Sequence, residues 1–124
     1  TGFALCSFIE LLHPVDSIDA RSSDGIRIRS AFGVSLDMDS LGNTLTIGAT
    51  GFNGDECGIV YVYERLTDNT AALKQSWSLS SRVIAPDPSP QSYFGYKVAV
   101  SQDGNVLVVG ADGENGYTGA AYIF

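Results

Sequence analysis

The side chains that could act as a base or a nucleophile are few and scattered in this sequence. The single histidine, His13, is followed by Pro14 and lies far from any motif. Nucleophilic catalysis requires a base within hydrogen-bond reach and a group that orients that base. No serine stands in a nucleophile-elbow sequence, and acidic pairs such as Asp55 and Glu56 are most simply exposed loop residues. We therefore expect a protein that is not an enzyme and has no catalytic residues.

The two cysteines, Cys6 and Cys57, do not indicate a disulfide framework. Cys6 falls inside a predicted strand, and Cys57 lies in a loop about one repeat further along the chain. A disulfide would require their Cα atoms to lie within roughly 7 Å of each other. The pattern gives a bridge little support, and the redox state of the compartment stays open.

Composition indicates one small folded domain and excludes several classes of partner. The chain has 124 residues, of which 44% are hydrophobic and 17% charged. Its formal charge of -7 has the wrong sign for neutralising phosphates or for docking on anionic lipid. The longest apolar stretch, residues 3–12, is far shorter than the roughly 20 residues of a membrane helix. We expect neither nucleic-acid binding nor membrane insertion, and the start at Thr1 favours a mature terminus or an excerpt of a longer protein.

Two segments of the chain repeat each other. Residues 32–54 align without a gap with residues 94–116, at an offset of 62, and ten of the 23 aligned positions are identical. After a slip of one residue, the match resumes between residues 58–63 and 119–124. Such self-similarity is typical of a repeat architecture. We divide the chain into end strands of a preceding unit at 1–31, a first repeat at 32–93 and an incomplete second repeat at 94–124.

Apolar and polar residues alternate within each repeat, with the period of a β-strand. Val34, Leu36 and Met38 alternate with polar neighbours, which predicts that they form a buried face. Gly42 and Gly104, each followed by asparagine, predict tight hairpin turns. The predicted strands span residues 34–38, 44–49, 59–64, 74–83, 96–101, 106–111 and 120–124. The count is four strands per repeat, and no long helix is expected.

Phe-Gly dipeptides open the two aligned segments, and small residues follow them at a fixed distance. The pairs are Phe32-Gly33 with Gly48-Ala49, and Phe94-Gly95 with Gly110-Ala111. Together with the runs 58–63 and 119–124, they resemble the FG-GAP repeat, the β-propeller blade of integrin α-subunit head domains. The resemblance implies an all-β fold of about two four-stranded antiparallel blades, forming a fragment of a larger propeller. Thr50 and Asp112 replace a proline of the family, which affects a turn only.

The resemblance also raises the question of calcium, because the first hairpin of such blades can hold this ion. Calcium takes six to eight oxygen ligands. Asp37 and Asp39 keep two acidic ligand positions, but Leu41 and Leu45 occupy two others, and the second hairpin keeps Asp103. We expect no tightly bound metal and no cofactor. The three aspartates should be solvent-exposed and are only weak metal candidates.

The resemblance implies a non-catalytic binding or adhesion module, extracellular or at the cell surface, that presents loops to a protein or carbohydrate partner. The candidate binding residues lie in two loops and are Gly51, Phe52, Asn53, Asp55, Glu56, Glu114, Asn115 and Tyr117. Two alternatives stay open. The repeats could form a structural scaffold within a larger assembly or filament, or a propeller appended to an enzyme domain outside this sequence.

The number of blades in a closed propeller predicts that the outer faces of a two-repeat segment pack against neighbouring blades. Propellers close with roughly four to eight blades, and each blade covers the faces of the next. Tyr61, Trp77, Val108 and Tyr122 are expected to lie on such outer faces, where an exposed apolar patch would otherwise result. We expect the segment to occur with neighbouring propeller blades or with subunits of a larger assembly.

Overall fold

The structure, a computed structural model, describes residues 30–51, 57–66 and 76–124. The described elements are β1 (Phe32–Met38), β2 (Thr44–Ala49), β3 (Ile59–Leu66), β4 (Ser76–Val83), β5 (Lys97–Val100), β6 (Leu107–Ala111), α1 (Glu114–Tyr117) and β7 (Ala120–Ile123). They form a four-stranded sheet in the order β1-β2-β3-β4 and a three-stranded sheet in the order β5-β6-β7. The second repeat therefore has three strands in the described part.

The predicted strands are confirmed, each within two residues of its expected bounds. All pairings between the named strands are antiparallel. Over the described ranges, the one helix-like element is α1, a four-residue turn in which Asn115 and Gly116 have non-helical φ and ψ. It is too short to cross a membrane, and no other described segment forms a membrane-spanning helix. The preceding unit predicted at 1–31 lies outside the described ranges, apart from residues 30 and 31, and so does His13.

Equivalent side chains close the first hairpin of each sheet. Asp39 Oδ1 accepts hydrogen bonds from the backbone N–H groups of Asn43 at 2.7 Å and Thr44 at 3.0 Å. In the second sheet Ser101 Oγ accepts from Asn105 at 3.2 Å and Val106 at 3.0 Å. A short polar side chain at this position satisfies turn donors that would otherwise lack acceptors.

The two sheets share one register. Their first two strands correspond at the offset of 62, and the third strands correspond at 61, which is the slip of one residue seen in the alignment. The equivalent sets are Leu36, Ile47 and Tyr61 in the first sheet and Val98, Val109 and Tyr122 in the second. The predicted register is therefore confirmed for the three strands that the two sheets share.

The apolar side chains of β1 point away from the second sheet. Val34, Leu36 and Met38 are 41%, 65% and 45% exposed, so the prediction that they form a buried face is wrong. The face of β1 that meets the second sheet carries Ser35 and Asp37. Alternation separates the two faces of a strand, but it does not tell which face a neighbour covers.

The second sheet packs an apolar face against the first sheet, around the ring of Phe94. Phe94 is fully buried, and its ring centroid lies 5.5 Å from that of Tyr122 and 6.1 Å from that of Phe124. The buried cluster at this contact comprises Val60, Ala85, Phe94, Leu107, Val109 and Ala111. A second cluster, Ile47, Ala49, Ile59, Tyr61 and Tyr63, lies on the opposite face of the first sheet. The two sheets thus bury a joint core, and the first sheet buries a second one on its other face.

Backbone and polar contacts tie the edge of the first sheet to the second. Ser35 Oγ donates a hydrogen bond to the Gly95 carbonyl oxygen at 2.6 Å, and Asp37 Oδ2 accepts one from the Val100 N–H at 2.8 Å. Gly48 lies directly beneath this contact, where a Cβ atom would collide with the Gly95 carbonyl oxygen. Glycine is required here because two backbones approach closely.

Of the side chains predicted to lie on outer faces, two are covered within the chain. Tyr61 is buried in the cluster of the first sheet, and Tyr122 packs on Phe94 at the contact between the sheets. The expectation of open outer positions is wrong for these two residues. Val108 is exposed, and Trp77 is half-buried.

Candidate functional site

The two sheets place their connections at two opposite ends. At the end that we call the hairpin end, formed by residues 39–44 and 101–106, the N–H and Oγ of Ser40 both donate to the Gln102 carbonyl oxygen, at 3.0 and 2.8 Å. At the other end, which we call the loop end, residues 84–96 meet residues 112–119. There the Gly113 N–H donates to the Ser92 carbonyl oxygen at 3.1 Å.

The three candidate aspartates lie at the hairpin end, but two of them serve the fold. Asp39 is buried and holds the hairpin donors, and Asp37 is half-buried and holds the Val100 N–H. The prediction that they are solvent-exposed is wrong for these two residues and confirmed for Asp103. Within the described ranges, no three His, Cys, Asp or Glu side chains are grouped as metal ligands would be. Weak calcium binding stays a prediction.

Asp103 is held in the second hairpin by its neighbours. Ser101 Oγ donates to Asp103 Oδ1 at 2.6 Å, and the Asn105 N–H donates to the same oxygen at 3.1 Å. These bonds, with Ser101 as the main cause, lower the pKa of the Asp103 carboxyl below its ordinary value. They do so because they favour the charged form. The carboxylate therefore acts as a turn acceptor in this structure.

The loop between β6 and β7 presents an exposed aromatic side chain. Asn115, Gly116 and Tyr117 have φ values of 53°, 67° and 70°, in the left-handed region that a bulky residue rarely adopts. Tyr117 is 66% exposed, and its ring centroid lies 6.4 Å from that of Tyr93. Strained backbone of this kind tends to occur at binding and functional loops.

The predicted binding residues divide into buried, exposed and undescribed positions. Gly51 is buried and donates its N–H to the Ser30 carbonyl oxygen at 2.9 Å, and Glu114 is also buried. Asn115 and Tyr117 are exposed. Phe52, Asn53, Asp55 and Glu56 lie outside the described residues. The exposed surface that the structure defines at the loop end is therefore centred on the second repeat.

A family comparison bears on this second repeat. Residues 77–124 match the FG-GAP repeat. The predicted resemblance is confirmed for this segment, which runs from β4 through β7 and includes Phe94-Gly95 and the exposed Tyr117. No curated protein and no solved structure matches the chain.

Within the FG-GAP repeat, a buried acid lies against a tyrosine of the core. Glu114 is 9% exposed, and its Oε2 atom has no hydrogen-bond partner among the described residues. The hydrogen bond between Tyr122 and Glu114 raises the pKa of the Tyr122 phenol above its ordinary value. Burial and the charges of Glu114 and Asp87 add to this increase. An anionic acceptor favours the protonated phenol because ionisation would place two negative charges together.

Replacing Glu114 with glutamine is expected to lower the pKa of Tyr122 towards the ordinary tyrosine value of about 10. Because the folded-state pKa is raised, the interaction stabilises the fold below pH about 10 and is lost as the pH rises through the folded-state pKa. An ultraviolet phenolate titration, taken as the difference between each protein and its Tyr122→Phe variant, isolates this group. An unchanged Tyr122 titration in Glu114→Gln would contradict the assigned hydrogen bond.

Sequence analysis missed several residues that hold the two sheets together. Ser35 and Asp37 look like ordinary solvent-facing residues of an alternating strand. Lys97 and Ala99 stand at the equivalent positions of the second repeat, so the two pairs differ in the alignment. Ser92 is fully buried and donates its Oγ hydrogen bond to the Cys57 carbonyl oxygen at 2.9 Å. The recurrence of serine at positions 30 and 92, again 62 residues apart, was the available signal.

Proposed function

We propose that the chain is part of a non-catalytic β-propeller-type module, extracellular or at the cell surface, that binds a protein or carbohydrate partner at the loop end. The FG-GAP match supports the propeller-type module. The binding role rests on one observation, the exposed Tyr117 in a left-handed turn beside Tyr93. Adhesion is the form of binding that the resemblance to integrin-type blades favours.

Tyr117 suits recognition for physical reasons. A tyrosine offers a large contact area with few rotatable bonds, an apolar face and a polar tip. Tyrosines are enriched among the residues that dominate binding energy at interfaces. Residues 113–119 hold this ring through backbone hydrogen bonds, from the Tyr117 N–H to the Gly113 oxygen at 3.2 Å and from the Gly119 N–H to the Glu114 oxygen at 2.9 Å. The ring is therefore positioned before a ligand arrives.

The test is a binding screen of the labelled 124-residue chain against a glycan array and a panel of immobilised purified matrix glycoproteins. For any ligand bound by the wild type, Tyr117→Ala is expected to weaken affinity by about tenfold or more, as loss of an interface anchor does. The matched control is Leu41→Ala, which truncates an exposed side chain at the hairpin end. It should leave the affinity within about twofold of the wild type.

Two results would contradict the proposal. One is an affinity that Tyr117→Ala leaves unchanged while Leu41→Ala reduces it, because binding would then occur at the hairpin end. The other is the absence of any bound glycan or glycoprotein across both panels. The thermal unfolding midpoints of the two variants are measured as a control. If the midpoints are equal, a difference in affinity reflects binding and not folding.

A structural scaffold role is the second candidate, and the open face of the second sheet favours it. Ala99, Val108, Ala121 and Ile123 are exposed on this face, which is equivalent to the face of the first sheet that the second sheet covers. Lys97 lies on the same face, which is otherwise apolar, and an exposed apolar patch of this kind marks a site of association. The two roles differ in a measurable way, since assembly through this face does not require Tyr117.

A further inference from the structure

The loop between β6 and β7 contains asparagine followed by glycine, the dipeptide in which an asparagine side chain loses its amide most readily. Asn115 and Gly116 are both exposed, and their φ values of 53° and 67° lie in the left-handed region. A Cβ atom at Gly116 would meet no other part of the chain within 4 Å. Neither residue is therefore enclosed by its surroundings. A second such dipeptide, Asn53-Gly54, lies outside the described residues.

The backbone nitrogen that follows Asn115 differs from the nitrogens that follow the two hairpin asparagines. The N–H groups after Asn43 and Asn105 donate to side-chain oxygens, each at 3.0 Å, and both belong to β-branched residues. The Gly116 N–H donates no hydrogen bond among the described residues. Of these three nitrogens, that of Gly116 is therefore the least hindered, because glycine has no side chain and no bond holds its N–H.

The free nitrogen matters because it is the nucleophile in asparagine deamidation. After losing its proton to solvent, the Gly116 nitrogen attacks Cγ of Asn115, while the side-chain NH2 takes up a proton and leaves as ammonia. The product is a cyclic imide, succinimide. Water then adds to either carbonyl carbon and breaks its bond to the nitrogen, which gives aspartate or isoaspartate. The amide and a water molecule are thus converted to an acid and ammonia, without an enzyme, an oxidant or a cofactor.

We propose that Asn115 is a self-modification site, which converts to isoaspartate in the folded protein and thereby opens the turn that carries Tyr117. Isoaspartate routes the main chain through the former side chain, so a methylene is added between Cα and the Gly116 nitrogen. This insertion lies inside the ring that is closed by the bond from the Tyr117 N–H to the Gly113 oxygen. The former main-chain carbonyl, which accepts from Thr118 Oγ1 at 3.1 Å, becomes a carboxylate outside the main chain. The conversion does not depend on the proposed function.

The test ages the full 124-residue chain in mildly alkaline buffer and locates the products by proteolysis and fragment mass spectrometry. Isoaspartate is identified by enzymatic methylation with isoaspartyl methyltransferase. Deamidation of Asn115 is expected to be at least about tenfold faster than that of Asn43 or Asn105, because glycine places no side chain beside the nucleophile. Asn115→Gln is the matched control. Glutamine keeps the amide but has to close a larger ring, so isoaspartate should be absent at this position in the variant.

Hydrogen exchange of the Tyr117 and Gly119 amides measures the effect on the turn. Both N–H groups donate backbone hydrogen bonds within residues 113–119. After conversion they should exchange at least about tenfold faster, because local opening of the turn exposes them to solvent. Asn115→Asp adds the charge without the methylene, so exchange at both amides should stay within about twofold of the wild type.

Three results would overturn the proposal. The first is deamidation of Asn115 at the same rate as Asn43 and Asn105. The second is conversion of Asn115 in urea but not in native buffer, because the folded loop would then protect the amide. The third is unchanged exchange at Tyr117 in chains that carry isoaspartate at position 115, because the turn would then tolerate the longer main chain.

Discussion

Replacing Gly48 with valine is expected to destabilise the fold by about 3 kcal/mol, near the upper end of the cost of overpacking a core. The new Cβ would collide with the Gly95 carbonyl oxygen and lie 2.6 Å from Ser35 Oγ. Backbone cannot move aside as a flexible side chain can, so the two sheets must separate or shift. Equilibrium unfolding in urea measures the loss.

Gly110→Val is the matched control, because Gly110 is the same residue at the same position of the second repeat. A Cβ at Gly110 would meet only Lys97, at 3.7 Å, which is ordinary contact. We expect a change within about 0.5 kcal/mol, as for a surface substitution. Valine also suits a strand. Equal losses in the two variants would contradict the contact assigned to Gly48 and Gly95.

Truncating Phe94 to alanine is expected to cost about 3–5 kcal/mol, the range for a fully buried phenylalanine. The ring contacts Tyr122 and Phe124 and lies in the cluster that both sheets share. Its removal leaves a cavity in the middle of this cluster. The loss should appear as a lower urea midpoint with an unchanged slope, because the same surface is exposed on unfolding.

Phe124→Ala is the comparison for Phe94→Ala. Phe124 belongs to the same aromatic group but is partly exposed at the end of the second sheet. Its truncation should cost roughly 1–2 kcal/mol, because less apolar surface leaves a buried environment. A larger loss from Phe124→Ala than from Phe94→Ala would show that the centre of the joint core lies elsewhere.

The strands and their register could be predicted from the sequence because local patterns determine them. Alternation over residues 44–49 and the glycine-asparagine turns act within one hairpin. The repeat offset of 62, with its slip to 61, predicts that Tyr61 and Tyr122 are equivalent, and the strand pairings agree with this. A period of two residues and a turn of fixed length leave little freedom in pairing.

Which face of each strand is covered could not be predicted, because that depends on packing between sheets. The exposed side chains of β1 and the polar contacts of Asp37 with Val100 reverse the usual preference for apolar contact. Gly48 and Gly110 also show that the sequence does not predict which face a second sheet covers. They are identical in the alignment, but only Gly48 has a second sheet against it.

The site residues were predictable in outline. Residues 113–119 connect β6 and β7, as the sequence predicts, but Glu114 is buried and interacts with Tyr122. Glu114 replaces Phe52 of the first repeat, so an acid stands at a position where the alignment has an aromatic residue. The sequence pattern does not predict a partner for Glu114, because its hydrogen bond to Tyr122 joins two different elements, the loop and β7.

The central claim is that the two repeats fold as one unit through the contact of Gly48 with Gly95. Trp77, the single tryptophan, reports on the first sheet by fluorescence, and exchange of the Leu107 amide, bonded to Phe124, reports on the second. In the wild type both probes should give the same free energy of unfolding, and Gly48→Val should lower both by the same amount. If Gly48→Val shifted the Trp77 transition and left exchange at Leu107 unchanged, the two sheets would be independent and the claim would be wrong.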